Sequence, residues 1–287
     1  MRERPENFTI DYTHPLAKEL SFATLLGRRT SNTFFDYSGY GQNSTIVNND
    51  LSKSIYSRSI GRYCQYFNGS TTYIDLFNKL RSPAFASDQS FTTVHWAYSI
   101  GSTGMLLSLR DIDSGNSVWD VAIGANGAVK NNNHFIPLMR YSNNTGLARH
   151  NATENVQNRW VMFTVRLNQR LNTFDAFVNK TKYTVSQTVN GSIDNTGYAA
   201  IGSERNWVAS SYTDAPLGHF NGYISDTLIF KRALLDKEIY SIADPTNIMY
   251  SGLLKRVKIK YYGLRNVPLI TRNALFNSRI FKSVVVE

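Results

Sequence analysis

Hydrolysis of a glycosidic bond needs two carboxylates on one face, at a separation that decides whether the second attacks or activates water. The chain has seven Glu, namely Glu3, Glu6, Glu19, Glu154, Glu204, Glu238 and Glu287; only Glu238 has a carboxylate two residues away, Asp236, and that pair lies in a stretch of helix-forming composition, not on a strand face. The one Asp pair at that spacing, Asp111-Ile112-Asp113, runs into Ser114-Gly115 and reads as a solvated turn. His14, His95, His134, His150 and His219 lack metal-ligand spacing, and His95 reads as a half-buried strand residue beside Trp96. Neither a phosphate-cradling glycine loop nor a recognisable Ser-His-Asp set is present. The lone Cys64, in a β-patterned stretch, excludes an internal disulfide and reads as a small buried apolar residue. What remains is binding chemistry. Trp207, in a polar segment with Arg205, Asn206 and Tyr212, has the composition of a sugar-stacking or protein-contact site. The same indole could equally plug one end of a sandwich. Trp96 and Trp160 sit on strands and read as packing, while Trp119 fits either role.

The elements that must position these residues are strands. At 287 residues, with 42% hydrophobic and 13% aromatic content, the chain is globular. Its 17 Tyr and 16 Phe favour strands over helices. No run approaches the roughly 18 apolar residues of a membrane span. No apolar segment follows the charged first residues, so no secretory signal is expected, and the seven Asn-x-Ser/Thr sequons then reflect an Asn-, Ser- and Thr-rich composition. Net charge is +10, and much of the excess lies late in the chain, on Lys255, Arg256, Lys258, Lys260, Arg265, Arg272, Arg279 and Lys282 against Glu287. These cations alternate with apolar residues, as in Arg256-Val-Lys-Ile-Lys-Tyr-Tyr. That pattern suits a strand with one packing face and one cationic face better than a nucleic-acid arm.

Gly218 to Ile239 reads as a glycine-turned strand followed at once by a short helix. Ile224, Leu228 and Phe230 would share one face, with Tyr223, Thr227 and Ile229 on the other; Asp226 interrupts the first face and predicts a bulge near Ser225–Asp226. The order Phe220-x-Gly222-x-Ile224-x-Asp226, then Arg232-Ala-Leu and Glu238-Ile, resembles the closing signature of laminin-G-like, concanavalin-A-like jelly rolls. The departure is Leu235, where the family carries a helix-capping serine. Further resemblances follow in a consistent order: Tyr66-Phe-Asn68-Gly69 with Tyr73-Ile-Asp75, read as strand, hairpin turn and return strand; Phe91-Thr to Trp96; Trp160-Val-Met-Phe-Thr-Val; Asp175-Ala-Phe-Val-Asn179; and Tyr198-Ala-Ala-Ile-Gly202. Ile10-Asp-Tyr-Thr-His-Pro-Leu16 resembles the opening of jelly-roll proteins encoded by tailed phages.

The fold expected is all-β, an antiparallel two-sheet jelly-roll sandwich over residues 17–249. One short helix is expected near 233–243, with extended arms at 1–16 and 250–287. The family commonly uses Ca²⁺. Here its acidic motif positions are Asn68, Thr71 and Thr72, so no cofactor is expected, and the resemblance leaves Ca²⁺ open at Asp75, Asp111 and Asp113. The function expected is a non-enzymatic structural protein of a phage virion, a capsid decoration or fibre-like component made in the host cytoplasm. Its arms, including Lys255, Arg256, Lys258, Lys260, Arg265 and Arg272, would contact other virion proteins. The alternatives are a lectin or adhesin module for cell-surface glycan and, less favoured, a jelly-roll hydrolase or lyase. Membrane insertion and nucleic-acid binding are not expected, and self-association stays open.

Overall fold

Residues that alternate apolar and polar with period two form the long strands, and their inward sets make the core. The computed structural model describes residues 8–24, 32–50, 53–76, 90–100, 104–110, 117–123, 135–140, 147–149, 154–185, 198–203, 205–208, 211–214, 218–244 and 253–256. In chain order the first strands are β1 (Phe8–Ile10), β2 (Leu20–Thr24), β3 (Thr33–Phe34), β4 (Ser44–Val47), β5 (Ile55–Ser57), β6 (Arg62–Asn68) and β7 (Tyr73–Asp75). Next come β8 (Phe91–Ser99), β9 (Gly104–Arg110), β10 (Ser117–Ile123), β11 (Phe135–Arg140), β12 (Leu147–Arg149), β13 (Trp160–Asn168), β14 (Thr173–Val178) and β15 (Thr181–Val185). The last are β16 (Tyr198–Ile201), β17 (Arg205–Val208), β18 (Ser211–Asp214), β19 (Asn221–Phe230), α1 (Asp236–Ile242) and β20 (Leu254–Arg256).

Two antiparallel sheets result, ordered β12-β11-β10-β9-β16-β7-β4-β3 and β15-β14-β13-β8-β19-β6-β5, with β2 also pairing with β19. This is the two-sheet sandwich with one short helix that the sequence predicts. Between the sheets lie Phe67, Ile74, Phe91, Leu107, Val121, Phe135, Phe163 and Phe174 with their neighbours. Phe135 and Phe163 meet across the gap with ring centroids 4.9 Å apart. Each such side chain stabilises the fold by about 1.5–3 kcal/mol on burial. Along β13, Val161, Phe163, Val165 and Leu167 point inward. Met162 joins a second apolar cluster on the outer face, with Trp96, Phe177, Leu228 and Phe230. That outer cluster is covered by Ile239 and Ile242 of α1 and by Ile10, Leu16 and Leu253. Among the described residues no helix is long and apolar enough to cross a membrane.

The bulge near Ser225–Asp226 is present, as a register shift in the β19–β8 pairing between Ile224 and Thr227. Its consequence differs from the expected face assignment. Ile224 and Ile229 both face the core between the sheets, whereas Leu228 and Phe230 face outward. The extra residue inverts the parity of everything after it. The bulge also marks where β6 gives way to β2 along one side of β19. There Asp226 meets Arg62 at 3.1 Å, with both side chains essentially inaccessible.

The Asn68-Gly69 turn departs from the expected hairpin. β6 and β7 belong to different sheets, so the turn is an arch that carries the chain across the sandwich. Asn68 Oδ1 accepts from the backbone N–H groups of Ser70, Thr71 and Thr72 at 2.8–3.0 Å. That holds open a wider path than a two-residue turn.

The helix is pinned to the outer face by ion pairs. Arg166 bridges Asp175 and Asp236, and Lys182 reaches both carboxylates. Glu238 takes two bonds from Arg232 at 2.7 and 2.8 Å and one from the Leu235 N–H at 2.7 Å. Burial pushes the Glu238 carboxyl up, but these bonds outweigh it and hold the group below its usual range. Glu238 thus supplies its half of a capping box, and Leu235 has no acceptor to supply the other. Arg232 also donates to the carbonyls of Lys18 and Pro15. β1 pairs with β20, bringing Phe8 opposite Arg256.

Candidate functional site

Four aromatic residues on adjacent strands fall in one register. Tyr66 is opposite Tyr223, Tyr223 opposite Tyr98, and Tyr98 opposite Trp160. Their ring centroids are 5.3, 6.4 and 5.8 Å apart, mutually tilted, and all four are half-buried on the outer face. Cross-strand aromatic pairs of this kind are each worth about 0.2–1 kcal/mol. Gly222 makes the close strand approach possible: at φ 145°, a Cβ there would lie 2.1 Å from the Tyr98 carbonyl oxygen.

At the Trp160 end the row opens into a cleft of about 530 Å³ lined by Ser59, Ile60, Trp96, Tyr98, Arg159, Trp160, Asn179 and Ala243. Local structure fixes each lining group. The segment before Trp160 is tied to the end of β8 by the Asn158 N–H, which donates to the Ser99 carbonyl at 2.8 Å. Arg159 donates through Nε and Nη2 to the Asn155 carbonyl at 3.0 and 2.6 Å, and through Nη2 to Glu154 at 2.5 Å. Asn179, left-handed at φ 55°, turns the chain between β14 and β15. Its Oδ1 accepts from the Met162 N–H at 3.0 Å, which leaves the Nδ2 donors unused. Trp96 is 2% exposed, and the Arg62 guanidinium lies 4.8 Å from its ring centroid. That guanidinium is itself held by Asp226. The buried indole N–H of Trp96 has no hydrogen-bond partner. The cleft therefore offers aromatic surface and hydrogen-bond donors, the equipment of a binding site.

His95, next to Trp96 in sequence, is fully buried and not half-buried as expected. Its Nδ1 lies 3.2 Å from Thr227 Oγ1. Burial pushes the imidazole pKa down to about 3, so it stays neutral near pH 7.

The residues singled out from sequence lie elsewhere. Trp207 and its neighbours form a hairpin, not a loop, with Trp207 opposite Tyr212, Asn206 opposite Thr213 and Arg205 opposite Asp214. Asp75 is half-buried in the other sheet, between Thr45 and Ala200; Asp111 and Asp113 fall outside the described residues. Among the described residues no three His, Cys, Asp or Glu side chains gather as a metal-ion set. Lys255 and Arg256 lie on β20 opposite Thr9 and Phe8, while Lys258, Lys260, Arg265 and Arg272 lie outside the described residues. Trp160, which sequence reading assigned to packing, does pack against the outer apolar cluster, and it also flanks the cleft. Its position at the first residue of a strand, directly after the exposed Arg159, was the available signal.

No protein-family model and no curated protein matches the sequence. Solved structures do resemble the fold. The binding domain of Paraclostridial Mosquitocidal Protein 1 superposes with a TM-score of 0.58 at 16% identity, over 79% of this chain and 52% of that one. The botulinum neurotoxin serotype G binding domain gives 0.55 at 17%, over 78% and 50%. A serotype D ligand binding domain, solved in complex with N-acetylneuraminic acid, gives 0.52 at 13%, over 85% and 56%. A Trypanosoma rangeli sialidase mutant gives 0.55 at 12%, over 84% and 36%. The chain spans about half the length of the toxin domains it matches. These likenesses establish a β-sandwich fold.

Proposed function

We propose that this protein is a non-enzymatic, lectin-like jelly roll that binds glycan on its outer aromatic face and serves as a component of a phage virion. The observation that carries the binding reading is the aromatic row that opens at Tyr98 and Trp160 into a donor-lined cleft. Apolar sugar faces pack on such rings while fixed polar groups set orientation. The complex of a similarly folded toxin domain with N-acetylneuraminic acid is in keeping with it. The lack of paired glutamates in the sequence supports a binder over a hydrolase. A glycan array probed with wild-type protein and with Trp160→Ala tests this. Binding should weaken at least tenfold in the variant; an array without signal, or a signal that Trp160→Ala leaves intact, sinks the reading.

Virion membership is supported by the phage-type opening Ile10–Leu16 and by the paired arms. The described parts of the two arms, Phe8–Ile10 and Leu254–Arg256, lie side by side with Phe8 opposite Arg256. A bipartite anchor on an acidic capsid or fibre surface would use both. Mass spectrometry of purified particles decides the point: a copy number near that of the major capsid protein means decoration, a few copies mean fibre, and absence removes the assignment.

A further inference from the structure

Resting on the glycan reading above, we infer that the cleft takes an acidic sugar, its ring face against Trp160 and its carboxylate toward Arg159 and Asn179. The lining side chains hold an unbalanced set of hydrogen-bonding groups. Arg159 spends Nε and Nη2 on Asn155 and Glu154, so Nη1 remains. Asn179 spends its carbonyl oxygen on Met162, so both Nδ2 hydrogens remain. Among lining side chains the remaining acceptors are the Ser59 and Tyr98 hydroxyls, each of which also donates, and Ser59 already shares a hydrogen bond with Ser57 at 2.9 Å. A neutral sugar hydroxyl can accept from these groups, but it carries no charge to match the guanidinium and has its own O–H still to place. A carboxylate only accepts, at up to about four sites, and bonds to it from a guanidinium are charge-assisted. Glu154 occupies Nη2 only, so it does not block the approach to Nη1.

Titration calorimetry with two matched pairs of probes tests the inference: 3′-sialyllactose against lactose, and tri-galacturonic acid against its carboxyl-reduced counterpart. At least one acidic member should bind ten times or more tighter than its neutral partner. Asn179→Asp keeps the Oδ1 acceptor for Met162 and tolerates the left-handed backbone, but replaces the amide donors by a negative charge. It should lose that preference at least tenfold, with an unfolding temperature close to wild type. Arg159→Gln, at an exposed position, carries the same expectation should Asn179→Asp unfold. Equal affinity for acidic and neutral members overturns the carboxylate while the glycan reading stands. An acidic preference that survives both variants places the ligand elsewhere and overturns the inference. Absence of binding to every glycan on the array removes both.

Discussion

His95 makes a quantitative prediction about acid stability. The imidazole is 0% exposed, lies between Phe163 and Thr227 in the β8 register, and has its pKa lowered by burial to about 3 from 6.5. An unfolded chain takes up a proton below pH 6.5 that the folded chain refuses until pH approaches 3. The stability held by the neutral imidazole is therefore complete above 6.5 and is lost progressively as the pH falls toward 3, at about 1.4 kcal/mol per pH unit. Between pH 7.5 and 4.5 the loss is roughly 3 kcal/mol. Asp236 and Glu238 have lowered pKa values, so their contribution persists through this window and fades only at lower pH. Urea unfolding followed by tryptophan fluorescence at the two pH values, for wild type and His95→Gln, isolates the effect. The variant starts less stable at pH 7.5, but its pH dependence should be shallower than wild type by roughly 3 kcal/mol. Two lines parallel to within about 1 kcal/mol would falsify a buried neutral His95.

Asp226→Asn should cost about 3–5 kcal/mol, because it leaves Arg62 charged and buried beneath Trp96; chemical denaturation measures it, and a loss under about 1 kcal/mol refutes the pairing. Gly222→Ala should lower the unfolding temperature and dull the Tyr98 and Tyr223 environment in near-UV circular dichroism, since its Cβ cannot share space with the Tyr98 carbonyl; an unchanged spectrum and melting curve count against that geometry. Leu235→Ser runs the other way. Leu235 is 56% exposed, so little burial is lost, and a hydroxyl could complete the box with Glu238; a gain of about 0.5–1 kcal/mol in thermal unfolding is expected, and a loss contradicts it.

Much of the sandwich is legible in the sequence, because strands such as Ser117–Ile123 and Phe91–Ser99 carry their own period. Even the bulge was legible, through one acidic residue where an apolar one was due. Long-range pairing was not. Asn68-Gly69 has the chemistry of a hairpin turn, yet local chemistry does not say which sheet the next strand will join. Arg205 to Val208 has too few apolar residues to signal a strand, and its partner Ser211–Asp214 supplies the missing information only after pairing. The aromatic row is the clearest case. Tyr66, Tyr98, Trp160 and Tyr223 are spread over more than half the chain, and each alone looks like an ordinary strand residue. Register alone lines them up. The donor surplus of the cleft was equally hidden, since it depends on which atoms of Arg159 and Asn179 the backbone has already consumed.

The antiparallel pairing of β1 with β20 has a mechanical side. Chain enters at Phe8 and leaves at Arg256 from the same end of a three-residue ladder. Tension applied between Phe8 and Arg256 would peel that ladder one rung at a time instead of shearing all its rungs together. Peeling needs far less force. Under load from both flanking segments, this pair would yield as a fuse, lengthening the tether while β8, β13 and β19 stay paired and the aromatic face keeps its shape.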